Sequence, residues 1–113
     1  MLESKLEELP DGKAIITLTG SLTLGTSLSF LDSQVRHLLE GNVTDLTLDV
    51  AGVDYADSGG LGLLIHANGL MKAKQGVLRL RNVRPRVMDL LRLTSIDTVI
   101  VIENGPAELP PQE

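Results

Sequence analysis

The sequence predicts a single α/β domain, a small mixed β-sheet of four to five strands with helices mainly on one face. Three observations predict it. The chain has 113 residues, 42% hydrophobic and 22% charged, the size and balance of one ordinary core. Segments of two-residue periodicity alternate with segments of helical periodicity, the pattern of α/β domains. In one of those segments Leu46, Leu48 and Val50 alternate cleanly with Asp45, Thr47 and Asp49. A strand so divided has one buried and one wet face, so helices cover chiefly one side of the sheet.

In chain order, a weak strand is expected over residues 2–8, with Leu2 and Leu6 on one side. Pro10-Asp11-Gly12 signals a turn. A strand over 14–19 completes an antiparallel hairpin. From 27 to 40 the apolar positions Leu28, Leu31, Val35, Leu38 and Leu39 have helical spacing, with Thr26 or Ser27 available as N-cap and Gly41 placed to end the helix. A strand follows over 44–50 and a second helix over 58–75, ended near Gly76. In the strand over 77–82, Leu78 and Leu80 oppose Arg79 and Arg81. Laid parallel beside 44–50, it puts both arginines on the polar face with Asp45 and Asp49. Pro85 suits the first turn of a third helix over 85–93. The last strand, 98–102, is apolar on both faces and reads as well covered. Residues 104–113, with three prolines, read as a frayed tail. The domain therefore spans 1–113, with a core over about 14–102.

Composition excludes several classes of function. Without cysteine there is no disulfide framework, thiol nucleophile or cysteine-held metal, and His37 and His66 alone cannot furnish a histidine-rich metal site. No cofactor is implied. The acidic N-terminus lacks the form of a signal peptide, and no apolar run approaches a spanning length. The expectation is a cytoplasmic domain with no membrane insertion. A net charge of −5 and only two aromatic residues, Phe30 and Tyr55, argue against nucleic acid as a partner. The charge is unevenly spread. Residues 1–57 sum to −7, residues 72–92 to +6 and the remainder to −4. Such blocks either neutralise each other within the fold or mark a docking surface.

The segment Tyr55-Ala56-Asp57-Ser58-Gly59-Gly60-Leu61-Gly62 joins a strand region to a helix start, where α/β domains expose functional groups. Ser58 reads as an N-cap, and the glycines let another surface approach. A phosphate on Ser58 would find helix N-terminal donors, and it would add charge beside Asp54 and Asp57 that repels an acidic partner. Two readings of Ser58 stand, a modification switch and a plain cap with packing glycines. Asp57-Ser58-Gly59-Gly60 also echoes a serine-protease nucleophile segment, but the chain is half the needed length and turns helical after Ser58. Ile65 occupies the place of the third glycine of a dinucleotide fingerprint, and Gly12-Lys13 opens no phosphate loop. His66 reads as structural or surface. On the second helix, Leu63, Leu64, Ala67, Leu70 and Met71 make the core stripe. Leu61 and Ile65 then either form an exposed apolar patch beside Ser58 or widen that stripe.

With these residues in view, the sequence resembles the STAS family in its anti-sigma factor antagonist form. The resemblance covers roughly 14–102. It rests on Leu18-Thr19-Gly20 and on Leu48-Asp49-Val50 followed by Val53-Asp54-Tyr55. It rests also on Asp57-Ser58-Gly59-Gly60-Leu61-Gly62, and on Val87, Leu90-Leu91 and Leu93-Thr94 before a final apolar strand. It implies a non-catalytic binding protein that sequesters an anti-sigma factor, itself a serine kinase, while Ser58 is unphosphorylated. Phosphorylation of Ser58 breaks the complex and a serine phosphatase restores it. The implied partner surface is Asp57, Ser58, Gly59, Gly60, Leu61, Ile65 and Thr23, on a monomer or weak dimer. Two departures stand out. Gly20 is followed by Ser21, Leu22 and Thr23 where many antagonists carry acidic residues, and Gly59 stands where a second Ser or Thr is usual. The alternative within the family is a constitutive adaptor of a lipid-transport ABC complex or of a stress-signalling scaffold.

Overall fold

The computed structural model describes residues 2–103. Five strands form one sheet in the order β1-β2-β3-β4-β5. They are β1 (Leu2–Leu9), β2 (Lys13–Leu22), β3 (Asp45–Ala56), β4 (Val77–Arg81) and β5 (Val101–Glu103). The helices are α1 (Thr26–Glu40), α2 (Ser58–Ala73) and α3 (Pro85–Leu93). A 3₁₀ turn over Ile96–Thr98 leads into β5. β1 is antiparallel to β2, as the Pro10–Gly12 turn predicts, and all later pairings are parallel.

The register explains the core. Ala14, Leu46 and Leu78 lie side by side, as do Ile16, Leu48 and Leu80, and all six are buried. These rows join the inner faces of the three helices in one cluster. The opposite face is polar, and there the expected charge pairing occurs. Arg79 Nε lies 3.1 Å from Asp45 Oδ1, Arg79 Nη1 lies 2.9 Å from Glu103, and Arg81 Nη2 lies 3.0 Å from Asp49. Part of the basic block is thus neutralised inside the fold.

β3 is longer than its sequence suggests. Between Asp49 and Tyr55 its register against β2 shifts twice, each time by one extra residue on β3. These two bulges break the sequence alternation, yet they keep Val50, Val53 and Ala56 on the core face. At the first bulge Gly52 fits closely against β2: a Cβ there would lie 3.0 Å from the Leu18 carbonyl oxygen, so the neighbouring strand would have to give by a few tenths of an ångström.

Three expectations need correction, and one open choice is decided. Neither Thr26 nor Ser27 caps α1; the N-cap is Gly25, whose φ of 155° suits glycine and which offers no side-chain cap. Ser58 is the first residue of α2 and not its cap, since Asp57 takes that place. The final strand covers only Val101–Glu103, because the 3₁₀ turn consumes the residues before it. It lies at the sheet edge with Val99 and Val101 exposed, rather than covered on both faces. Leu61 is buried, which removes it from any exposed patch. The expected tail over 104–113 lies outside the described residues.

Candidate functional site

β2 and β3 end side by side, with Leu22 opposite Ala56, so the loops that follow them meet. The Asp57 N–H donates to the Leu22 carbonyl at 3.1 Å. In return, the Asp57 carboxylate accepts from Gly60 N–H at 2.9 Å and from Leu24 N–H at 3.1 Å. One side chain therefore caps α2 and clamps the β2–α1 loop. The Gly60 N–H, followed by that of Leu24, holds the Asp57 carboxyl below its ordinary value, because both donors favour the ionised form.

With the cap supplied by Asp57, the Ser58 hydroxyl has no assigned task. It is exposed at the first turn and has no hydrogen-bond partner among the described residues. Its neighbours explain how the helix start is placed. A Cβ on Gly60 would overlap the Leu22 carbonyl oxygen and lie 2.7 Å from the carbonyl carbon, so only glycine lets α2 begin this close to β2. A Cβ on Gly59 would lie 2.9 Å from the Leu24 Cβ. Gly62 has nothing within 4 Å of that position and keeps the outer face of the helix low.

The structure brings Thr23, Asp57, Ser58, Gly59 and Gly60 to one place. Thr23 sits between Leu22 and Leu24, the two residues bonded to Asp57. Ile65 is exposed two turns along α2 on the Ser58 side, whereas Leu61 supports the site from within the core. Sequence reading missed Leu24. It is 78% exposed beside Gly59, although its phase with Leu18 and Leu22 suggests burial. The strand ends at Leu22, so the phase no longer applies. Tyr55, 46% exposed at the end of β3, adds a second apolar group at this end of the sheet.

Between α1 and α2, next to Gly59 and Gly62, lies an open groove of about 470 Å³ with Leu24, Leu28 and Leu63 among its lining residues. Asp32 and His66 also line it. Asp32 Oδ2 accepts from Arg36 Nε at 3.0 Å, and Arg36 Nη2 donates to His66 Nε2 at 2.9 Å. A guanidinium has no acceptor, so His66 must offer its lone pair. Asp32 Oδ1 is buried with no hydrogen-bond partner among the described residues, an unfilled acceptor at the groove. His66 is thus a surface residue in a small polar bridge. Among the described residues, no group of three or more metal-ligating side chains comes together.

Chemically, this end of the molecule offers a free hydroxyl, a fixed negative charge and a small apolar surface. No base is hydrogen-bonded to Ser58 among the described residues, as an activated nucleophile requires. An exposed hydroxyl that receives a phosphoryl group needs no such neighbour, because the transferring enzyme supplies positioning and base.

Fold and site together define a small sheet-and-helix module with an exposed serine at the start of its second helix. The chain belongs to the STAS domain family: the family model described as "Mlab, STAS domain" matches residues 6–103. By sequence, no curated protein matches it. Among solved structures, it is similar to a putative anti-sigma factor antagonist from Thermotoga maritima, with 19% identity, a TM-score of 0.80, and coverage of 95% of this chain and 89% of that one. It is also similar to the Bacillus cell fate determinant SpoIIAA in its phosphorylated form, at 18% identity and a TM-score of 0.73, covering 95% and 96% of the two chains. A sulfate transporter family protein from Wolinella succinogenes has the same fold, at 16% identity and a TM-score of 0.67, covering 87% and 81%. No described helix is long and apolar enough to cross a membrane.

Proposed function

We propose that this chain is a non-catalytic cytoplasmic regulator of the anti-sigma factor antagonist type. With Ser58 unmodified, the surface around Thr23, Leu24, Asp57, Ser58, Gly59, Gly60 and Ile65 binds an anti-sigma factor that is also a serine kinase. Phosphorylation of Ser58 releases that partner, and a serine phosphatase resets the pair. The observation that carries the reading is the division of roles at the helix start: Asp57 caps the helix, so the Ser58 hydroxyl is exposed and unengaged. Support also comes from fold neighbours that include an antagonist in both unphosphorylated and phosphorylated forms. A phosphate there would add about two negative charges beside Asp57, whose carboxyl is held ionised, and would repel a partner surface that itself carries nucleotide phosphates.

The test is a pull-down from the native organism with wild-type and Ser58→Asp baits. The reading expects an ATP-binding serine kinase with wild type only. A partner retained equally by both baits would refute it. One observation favours the adaptor reading instead. The end of β2 and the residue after it, Ser21, Leu22 and Thr23, carry no carboxylate beside Asp57, in a chain whose matching family model bears the Mlab description. Under that reading, a transporter or scaffold component stays on both baits.

A further inference from the structure

β1 pairs with β2 over all eight residues without a bulge and has no strand on its other side. Its outer edge is an unbroken row of backbone donors and acceptors. Such edges are usually protected by charge, and here the charges have a particular order. Glu3 and Lys5 lie on the open face of the sheet, two residues apart, and neither has an ion-pair partner among the described residues. Leu2, Ser4 and Leu6 lie on the helix side, where Ser4 Oγ bonds Gln34 at 2.8 Å.

We infer that β1 is the contact through which two copies of this chain pair, antiparallel, about a two-fold axis at Ser4. In that register Glu3 of each copy faces Lys5 of the other, Leu2 faces Leu6, and Ser4 faces Ser4. Every cross-strand pair is matched in character, and the two charge pairs are equivalent by symmetry. Glu7 and Glu8 fall outside the ladder. Shifting the axis to Lys5 would set lysine against lysine and Glu3 against Glu7. Shifting it to Leu6 restores a Lys5–Glu7 pair but sets Glu3 against Leu9 and Ser4 against Glu8. The Ser4 register is the one without a mismatch.

The helix side supplies a second observation. Phe30, one of only two aromatic residues, is 59% exposed, and with Leu2, Glu3 and Ser4 it lines an open cavity of about 520 Å³ along the flank of β1. A two-fold axis at Ser4 brings both such cavities to the seam, where the two Phe30 rings cover the joined strands. Because the strands run antiparallel, the two Ser58 ends point in opposite directions. The pairing does not rest on the function proposed above.

The test is the mass of the full-length chain by sedimentation velocity from about 10 μM to about 1 mM, a range that reads a weak association. Wild type forms dimers as concentration rises. Glu3→Lys and Lys5→Glu each weaken the dimer by at least about tenfold, since each turns two attractive pairs into repulsive ones. The double variant E3K/K5E restores it, Phe30→Ser weakens it, and Glu7→Lys leaves it unchanged. Circular dichroism confirms that each variant is folded, and Glu3→Gln with Lys5→Gln serve where a reversal is not. A wild type monomeric at about 1 mM would overturn the inference, as would a dimer indifferent to the single reversals. A dimer lost only in Glu7→Lys would overturn this register.

Discussion

Replacing Gly60 with alanine adds one carbon at the point where α2 meets β2. That carbon would overlap the Leu22 carbonyl oxygen and lie 2.7 Å from its carbon, where ordinary contact begins at 3.4 Å. Both groups are main chain. Leu22 is held in the ladder opposite Ala56 and accepts the Asp57 N–H, so no rotamer change relieves the clash. Overpacking costs about 1–3 kcal/mol when neighbours can adjust, and a backbone collision falls at the upper end. Alanine regains about 1 kcal/mol of helix propensity, which leaves a net loss of roughly 2 kcal/mol. For a domain of this size that lowers Tm by about 8–16 °C. The internal control is Gly62→Ala, two residues along the same helix, where the new methyl meets nothing within 4 Å. It gains the propensity without the clash and should raise Tm by about 4–8 °C. Thermal unfolding followed by circular dichroism measures both. Equal shifts in the two variants, or an unchanged Tm for Gly60→Ala, would refute the packing argument.

Two further outcomes follow from side-chain geometry. The Asp57 carboxyl is held below the ordinary aspartate value by the Gly60 and Leu24 N–H groups. Its contribution to stability is complete above the unfolded value and is lost as pH falls through the folded one. As pH falls below about 4 the wild type should therefore lose stability faster than Asp57→Asn; parallel Tm–pH curves would contradict this. On the polar face of the sheet, Asp49 accepts from Arg81, Asn82 and the Ala51 N–H of its own strand. Asp49→Ala strands these donors and should cost about 2 kcal/mol in urea unfolding, whereas a cost near zero would mean that water replaces the carboxylate freely.

Most of the architecture was legible because its signals are local. Helical spacing in α1 and the turn at Pro10–Gly12 need no tertiary information, and alternation in the first half of β3 exposes one apolar face. The pairing of Arg79 with Asp45 was also legible, since parallel neighbours of like phase share a face. What stayed hidden depended on neighbours. Two bulges carry β3 past Ala51 and Gly52, where the alternation fails, and nothing within the strand announces that β2 keeps pace beside it. The exposure of Leu24 and burial of Leu61 likewise follow from where β2 stops and how closely Gly60 seats the helix. The cap assignment failed for a subtler reason. Asp57 and Ser58 are both good N-cap residues, and in the fold it is Asp57 whose carboxylate takes the Gly60 N–H and, with its other oxygen, the Leu24 N–H across the loop.

That decision bears on how a modification can act here. Had Ser58 been the cap, a phosphate would have replaced a structural hydrogen bond, and release of a partner would have been mixed with fraying of α2. With Asp57 as the cap, the bonds to Gly60 and Leu24 do not involve the serine side chain, so charge can change at residue 58 while the helix start stays pinned. Favourable interaction between the added phosphate and the helix N-terminus opposes its repulsion by Asp57. The folded domain therefore feels a smaller change than an acidic partner does. Ser58→Asp should accordingly leave Tm within a few degrees even where it abolishes binding. A large fall in Tm would mean that the two roles are not separate and that release works through the fold itself.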